Sequence, residues 1–283
     1  MQDLLELAVG AAASGCIYGL IALAYLLMIR PTGIINFAVG EWAMVASFGG
    51  FIFLTKYEWP YPLGMAVVVA FMMVVGWATE RIAVRPLVEK GSSLLAPILA
   101  LLGVLVVTRE VISVSFPPDP LPVPFPFGIG ASYQNVFIIV VTLTVFAGTW
   151  FFFEKTLWGK SFEAVSLNRR AAALMGINLS RVTALSFAGG AGAAGLAGLL
   201  VSPNISAHYL MGVPLAIQGF TALVIGGVGR VEGALLGGLL LAFAEQLTAR
   251  YAPIPSGYTQ GVPLLFLMIF LLVRPTGLLK ARA

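Results

Sequence analysis

Residues 7–29 read LAVGAAASGCIYGLIALAYLLMI, an apolar stretch without a charged side chain. A helix needs about 20 such residues to cross the hydrocarbon core of a bilayer, so the stretch predicts a transmembrane helix. The segment before it, Met1 to Glu6, is acidic, and the first basic residue of the chain is Arg30. A cleavable secretory signal begins with a basic segment. We therefore expect an uncleaved first helix with its N-terminus outside and its Arg30 end in the cytoplasm.

The rest of the chain has the same apolar character. Of its 283 residues, 59% are apolar and 10% are charged, whereas soluble domains carry about 25% charged residues. So few charges cannot cover a soluble surface, which excludes a soluble enzyme, a disordered chain and a nucleic-acid-binding protein. The net charge of +4 is typical of a membrane protein with basic cytoplasmic loops. A single cysteine, Cys16, allows no intramolecular disulfide, and a single histidine, His208, excludes a multi-histidine metal site.

Further apolar stretches follow along the chain. The full set of predicted spans is 7–29, 36–55, 62–79, 94–114, 135–153, 182–202, 213–229, 231–248 and 261–273. The last is short, and 213–229 is short and rich in glycine, which is compatible with a broken or re-entrant helix inside the protein. We predict an all-α polytopic membrane protein, a bundle of about nine transmembrane helices (between eight and ten) in a single domain over 1–283.

The connections between these spans differ in charge, which predicts the topology. Connections 79–94 and 153–182 and the tail after 273 are rich in Lys and Arg, whereas 115–134 has no basic residue. Nine crossings with the N-terminus outside place every basic-rich connection on one side, and the positive-inside rule makes that side the cytoplasm. The C-terminus is then cytoplasmic. If 213–229 and 231–248 formed one unit, the basic tail would lie outside, so an odd number of crossings is preferred.

Two helix ends resemble each other. Residues 26–35 read LLMIRPTGII and residues 271–279 read LLVRPTGLL. Each has an Arg that complements the helix dipole, a Pro that stops the helix and a Gly that permits a turn. Both fall on the cytoplasmic side of the nine-span topology, but two short strings do not establish a duplicated fold.

No group of residues predicts a catalytic site. Gly159-Lys160-Ser161 resembles the end of a P-loop, but the earlier glycine of that motif is replaced by Glu154, so we expect no ATP site in this chain. Ionisable residues inside predicted spans mark candidate pathways. We interpret Arg109, Glu110 and Glu245 as snorkelling or paired near an interface. Glu41, which follows Asn36 and Gly40 early in the second span, is the more informative position.

Small residues recur every four positions in two late segments. They are Gly190, Ala194 and Gly198 in the first and Gly229, Gly233 and Gly237 in the second. This spacing places each set on one helix face and predicts close helix packing.

The predicted cytoplasmic loop 154–181 contains five basic residues. Asn168 is a favourable N-cap, the residues after it favour a helix, and Gly176 suits its C-terminal end. The loop therefore predicts a helix of about two turns with a basic face and a small apolar face, the latter formed by Ala172, Ala173 and Met175 with Ile177 beyond. Such a short helix is marginal alone. Either it docks on a partner or it lies on anionic lipid.

Three places in the sequence resemble the permease subunits of ABC importers for branched-chain amino acids, over nearly the whole chain. The string Asn36-Phe37-Ala38-Val39-Gly40-Glu41 is similar to that family's Asn-Phe-Ala-x-Gly-acidic pattern, with Val39 where many members carry His. The stretch 168–177 resembles its coupling loop, and the glycine-rich run 220–238 resembles its late helices.

The resemblance implies a transport subunit, not an enzyme, in a bacterial inner membrane. It would form half of a translocation pore with a second homologous permease, as a hetero-dimer. Two ATPase subunits would dock from the cytoplasm and an extracytoplasmic binding protein would deliver the solute; no cofactor is implied. The implied docking residues are Asn168, Arg169, Ala172, Ala173, Gly176 and Ile177. Asn36 and Glu41 are candidates for a pathway or gate.

Other functions stay open from the sequence. Relatives with this pattern carry branched-chain and other amino acids, urea or small organic acids. A stand-alone secondary carrier or channel would need its own coupling or pore residues and would function alone. A membrane-embedded enzyme would need polar catalytic residues clustered at one depth, and the sequence has no such cluster.

Overall fold

A computed structural model describes residues 2–93, 95–126, 131–251, 261–274 and 277–279. Its helices are α1 (Gln2–Thr32), α2 (Val39–Gly50), α3 (Tyr61–Thr79), α4 (Arg85–Glu89), α5 (Leu95–Ser115), α6 (Ala131–Lys155), α7 (Leu157–Leu167), α8 (Arg169–Leu174), α9 (Leu179–Ile205), α10 (Gly212–Gly226), α11 (Val231–Tyr251) and α12 (Val262–Val273). A π-helical segment extends α2 from Phe51 to Lys56, and another joins α3 to α4 from Glu80 to Val84.

Each predicted span coincides with a helix, but the helices differ in length. Six are long and apolar enough to cross a membrane: Glu6–Thr32, Tyr61–Glu89, Leu95–Ser115, Tyr133–Lys155, Leu179–Ile205 and Val231–Tyr251. Two others, Gly212–Gly226 and Pro263–Val273, are apolar but shorter, and α2 has 12 residues before its π-helical extension. The all-helical, multi-pass architecture is confirmed, whereas nine crossings and the orientation of the termini stay predictions.

Helices α1 and α9 form the centre of the bundle. In their most apolar windows, 72% and 83% of the residues are buried, against 11% in α5 and 17% in α6. α1 packs against α9, α10, α11 and α6, while α2 and α3 both pack against α9. The apolar outer surfaces of α5, α6 and α12 contact no other part of the described chain, as expected for helices that face lipid or another membrane subunit.

Small residues let these central helices approach closely, as predicted for most of the named positions. A side chain at Gly190 would meet the carbonyl of Ala24, and one at Gly198 would overlap the backbone of Ala43. Ala194 is fully buried between them. In α11, Gly233 and Gly237 lie against the backbone of α10.

The prediction for Gly229 was wrong. Gly227 has a positive φ of 94° and ends α10 at Gly226, and α11 begins only at Val231. Gly229 therefore lies in the turn between the two helices and is not on the packed face of either. The four-residue spacing continued across a helix boundary that periodicity alone does not show.

Contacts at the two ends of the bundle group the connections as the charge pattern predicts. At one end, Arg30 stacks over Phe153, and the N–H groups of Leu278 and Leu279 donate to the carbonyls of Ile225 and Gly226. At the other end, the segment after α5 and the segment after α9 form an antiparallel backbone bridge between Leu121 and Ala207. Arg169 approaches the carbonyl of Thr32 at the end of α1, and Thr183 bonds Glu80, where the 79–94 connection begins. Connections 79–94 and 153–182 therefore share the end of the bundle at which α1 finishes.

The two similar helix ends also share a backbone feature. Gly33 has a φ of 69° and Gly277 has a φ of 76°. This left-handed conformation is the one that glycine adopts without strain, and it turns the chain away from the helix.

Candidate functional site

Helix α8 forms where the loop sequence predicts it. The Asn168 side-chain oxygen accepts hydrogen bonds from the backbone N–H groups of Arg170 and Ala171, both at 3.0 Å. The helix ends at Leu174, and Gly176 turns the chain with a φ of 83°. Because cap and turn are both local, the sequence is sufficient to set both ends of this six-residue helix.

One face of α8 packs on its own chain. Ala172 is 4% exposed and contacts a small cluster formed by Phe162, Val165 and Val182, with Ile177 packed against it. Ala172 and Ile177 therefore support the helix from beneath and are not on its outer surface. The expectation that a helix this short needs a partner or a membrane for support was wrong, because α7 and α9 supply that support.

The outer face of α8 is apolar and exposed. Leu174 is 89% exposed and Met175 is 83% exposed, and Arg170, Ala173 and Gly176 are exposed beside them. Leu174 is not among the docking residues predicted from the sequence. Leu174 lies two residues after Ala172 and so on the opposite side of the helix, but the sequence does not show which of these sides the chain covers.

Arg169 points inward, into a cleft of about 160 Å³ between α8 and the π-helical end of α3. Its Nη1 lies 3.5 Å from the carbonyl oxygen of Thr32, and burial lowers the pKa of its guanidinium. Across the same cleft, Thr183 donates a 2.9 Å hydrogen bond to Glu80. Arg169 thus links α8 to the end of α1 and does not face outward.

Glu41 forms a buried ion pair with Arg109. Its side chain is 1% exposed, and Arg109 Nη2 donates to its Oε1 at 2.6 Å. Among the described residues, neither Glu41 Oε2 nor Arg109 Nε has a hydrogen-bond partner. Gly212, the first residue of α10, lies against the carboxylate, and a side chain there would overlap it. The pair therefore joins α2 to α5 beside the start of α10, and Arg109, which is 28% exposed, is paired with an acid of another helix.

Asn36 shapes the connection between α1 and α2. It is fully buried, its side-chain oxygen accepts from the N–H of Ala38 at 3.0 Å, and its Nδ2 lies 3.4 Å from the sulfur of Met28. Glu245 is also paired, because Tyr18 donates to it at 2.7 Å and Gln218 at 3.4 Å. Neither Asn36 nor Glu41 lines the cleft that Arg169 enters.

These features define a multi-pass membrane protein with a buried ion pair between two of its helices and a capped short helix between α7 and α9. The chain belongs to the family described as the permease component of the branched-chain amino acid transport system, whose model matches residues 7–272. The resemblance stated from the sequence is thereby confirmed.

Several relatives match over nearly their full length. The chain is 32% identical to the high-affinity branched-chain amino acid transport system permease protein BraD of Pseudomonas aeruginosa, over 97% of this chain and 95% of that protein. It is 30% identical to LivH of Escherichia coli strain K12, a permease protein of the same description, over 94% and 92%. The probable branched-chain amino acid permease LivH of Methanocaldococcus jannaschii is 27% identical over 92% and 87%. No solved structure matches the chain.

Proposed function

We propose that this chain is the membrane-spanning permease subunit of an ABC importer and forms half of the translocation pathway for branched-chain or related amino acids. The observation that carries the proposal is the family match over residues 7–272, together with relatives of nearly equal length that are permeases for branched-chain amino acids. The chain is a transport subunit, and partner ATPases supply the energy by hydrolysing ATP.

The importer assembles in a bacterial inner membrane from several subunits. A second homologous permease completes the pathway as a hetero-dimer, two ATP-binding cassette ATPases bind on the cytoplasmic side, and an extracytoplasmic binding protein delivers the solute. The exposed apolar surfaces of α5, α6 and α12 suit contact with lipid or with the second permease.

The chain crosses the membrane nine times with its N-terminus outside and its C-terminus in the cytoplasm. Support comes from a helix at every predicted span and from the common end shared by the basic connections. With Cys16 replaced by Ala, a cysteine placed at Asp119 should react with an impermeant maleimide added outside, and one placed at Arg170 only after the membrane is opened. The reverse pattern would contradict this topology.

Helix α8 and its flanks, residues 168–177, dock the ATPases. The exposed Leu174 and Met175 form the contact surface with Ala173 and Gly176. Asn168 and Ala172 hold the helix in place, with Ile177 and Arg169 tying it to the bundle. A stiff, self-supported helix transmits ATPase movement to the membrane helices without first having to fold.

Glu41 gates the pathway through its pair with Arg109, and Asn36 positions the start of α2. The pair is buried, links separate helices and retains unpaired polar atoms, so its separation would change the packing of α2 against α5. Ionisable residues at such depth are retained for function more often than for stability.

To test the proposal, the chain is expressed with a tag in its native host and purified in mild detergent, and the proteins that co-purify with it are identified. We expect an ABC ATPase and a second permease to be recovered with it, and the recovered complex to take up branched-chain amino acids in preference to urea or organic acids. Transport by the chain alone, without any ATPase, would favour the stand-alone carrier.

A further inference from the structure

A large apolar groove lies between α3, α6 and α9, apart from both sites described above. Its volume is about 830 Å³, and residues of α1 and α7 also line it. All of its lining residues are apolar except Thr149, which bonds its own helix, and Arg181. The groove is thus suited to hydrocarbon and not to a polar solute.

Glycines keep the groove open. A side chain on Gly148 of α6 would meet no atom within 4 Å, and one on Gly189 of α9 would first meet Leu27 at 3.6 Å. Gly192, one turn further along α9, also lines the groove. Larger residues would fit at Gly148 and Gly189 without disturbing the bundle, and they would fill the space that these glycines leave.

The groove has a charged end. Arg181 lies in the first turn of α9 and is exposed, and it has no acidic partner among the described side chains. Trp77 and Trp158, which are 51% and 49% exposed, also line the groove. Basic residues and tryptophans beside apolar clefts on the cytoplasmic side of a membrane are typical of contacts with anionic lipid head groups.

The groove is long enough to hold an acyl chain across one leaflet. From Arg181 to Leu196 it follows α9 for 15 residues, which is about 22 Å at 1.5 Å per residue. Half of the hydrocarbon core is about 15 Å thick. A lipid whose head group lies at Arg181 therefore has its acyl chain within the groove along its length.

We propose that this groove binds an anionic phospholipid, with its phosphate at Arg181 and its hydrocarbon chain against Gly148 and Gly189. A protein helix in the same place would bury the unpaired charge of Arg181, which is costly, whereas a phosphate neutralises it. The lipid also contacts Trp158 and Phe162 of α7, and Phe162 supports Ala172 of α8. Bound lipid therefore supports α7, the helix that precedes α8 and packs against it. This holds whichever solute the protein carries.

Native mass spectrometry of the purified full chain tests the charged end, with palmitoyl-oleoyl phosphatidylglycerol and the matching phosphatidylcholine as probes. We expect tighter binding of phosphatidylglycerol, and a loss of about fivefold in its affinity in Arg181→Gln, the contribution of one basic residue near an anionic head group. The control Arg250→Gln, at an exposed basic residue in the last turn of α11, should change nothing. Equal binding of the two lipids by the wild type would overturn the proposal.

A second pair of variants tests the groove. Gly148→Leu fills it and should lower the affinity for both lipids. The control Gly103→Leu adds the same side chain on α5, where it also meets no atom within 4 Å, and should leave binding unchanged. If Gly148→Leu retains lipid but loses a co-purified second permease, the groove is a subunit interface and the lipid proposal is wrong.

Discussion

Helix α8 and the Glu41–Arg109 pair are both candidates for function, but they are held in different ways. α8 is fixed by bonds to its own neighbours in sequence and by one buried face, and its outer side chain Leu174 is exposed. Glu41 is enclosed by three helices and bonded to a residue 68 positions away. If the proposed roles hold, function and stability at α8 reside in different side chains, whereas at Glu41 one side chain serves both. Substitutions on the outer face of α8 should therefore change transport without changing stability, whereas substitutions at Glu41 should change both.

The largest loss of stability is expected in Glu41→Gln. It leaves the guanidinium of Arg109 without a countercharge inside the bundle, which costs about 3 kcal/mol, the low end for a buried pair because Arg109 is 28% exposed. Unfolding of the purified chain in detergent, followed by circular dichroism, measures it. The control Glu110→Gln changes the neighbouring, exposed acid and should have little effect. If Glu41→Gln and Arg109→Gln are additive in the double variant, the two residues are not coupled.

A smaller loss is expected in Asn168→Ala. Removing this cap leaves two N–H groups of α8 without their partner and should lower the stability of the helix by about 1 kcal/mol. Hydrogen exchange of residues 169–174 should rise, while the membrane helices stay protected. Asn168→Ser restores a capping oxygen and should recover most of the protection. Faster exchange throughout the bundle would show that α8 is not locally supported.

The sequence could predict those features of α8 and of the spans that arise within short segments. The ends of α8 follow from Asn168 and Gly176 because a cap and a turn act over a few residues. The apolar spans follow from composition, since a helix that crosses the hydrocarbon core needs about 20 mostly apolar residues. These are properties of short segments, and the structure reproduces them.

Contacts between distant segments could not be predicted. The partner of Glu41 lies on another helix, and nothing in the spacing of Arg109 indicates which helix its side chain meets. Ala172 was predicted to lie on the docking face. The helix pattern distinguishes two faces of α8, but it does not indicate which of them packs against the rest of the chain. Gly229 was predicted to lie on a packed helix face, but it lies in the turn before α11. That turn depends on the backbone of Gly227, which the spacing of the glycines does not reveal.

We propose that ATPases drive this permease through the outer face of α8. The most direct test is ATP-dependent uptake of leucine by the complex reconstituted in vesicles, for wild type, Leu174→Asp and the control Leu210→Asp, which alters an exposed loop residue at the other end of the bundle. We predict that Leu174→Asp abolishes uptake while its unfolding free energy changes by less than about 0.5 kcal/mol, as at other exposed positions, and that Leu210→Asp takes up leucine as wild type does. Uptake by Leu174→Asp at the wild-type rate, or uptake that needs no ATP, would contradict the claim.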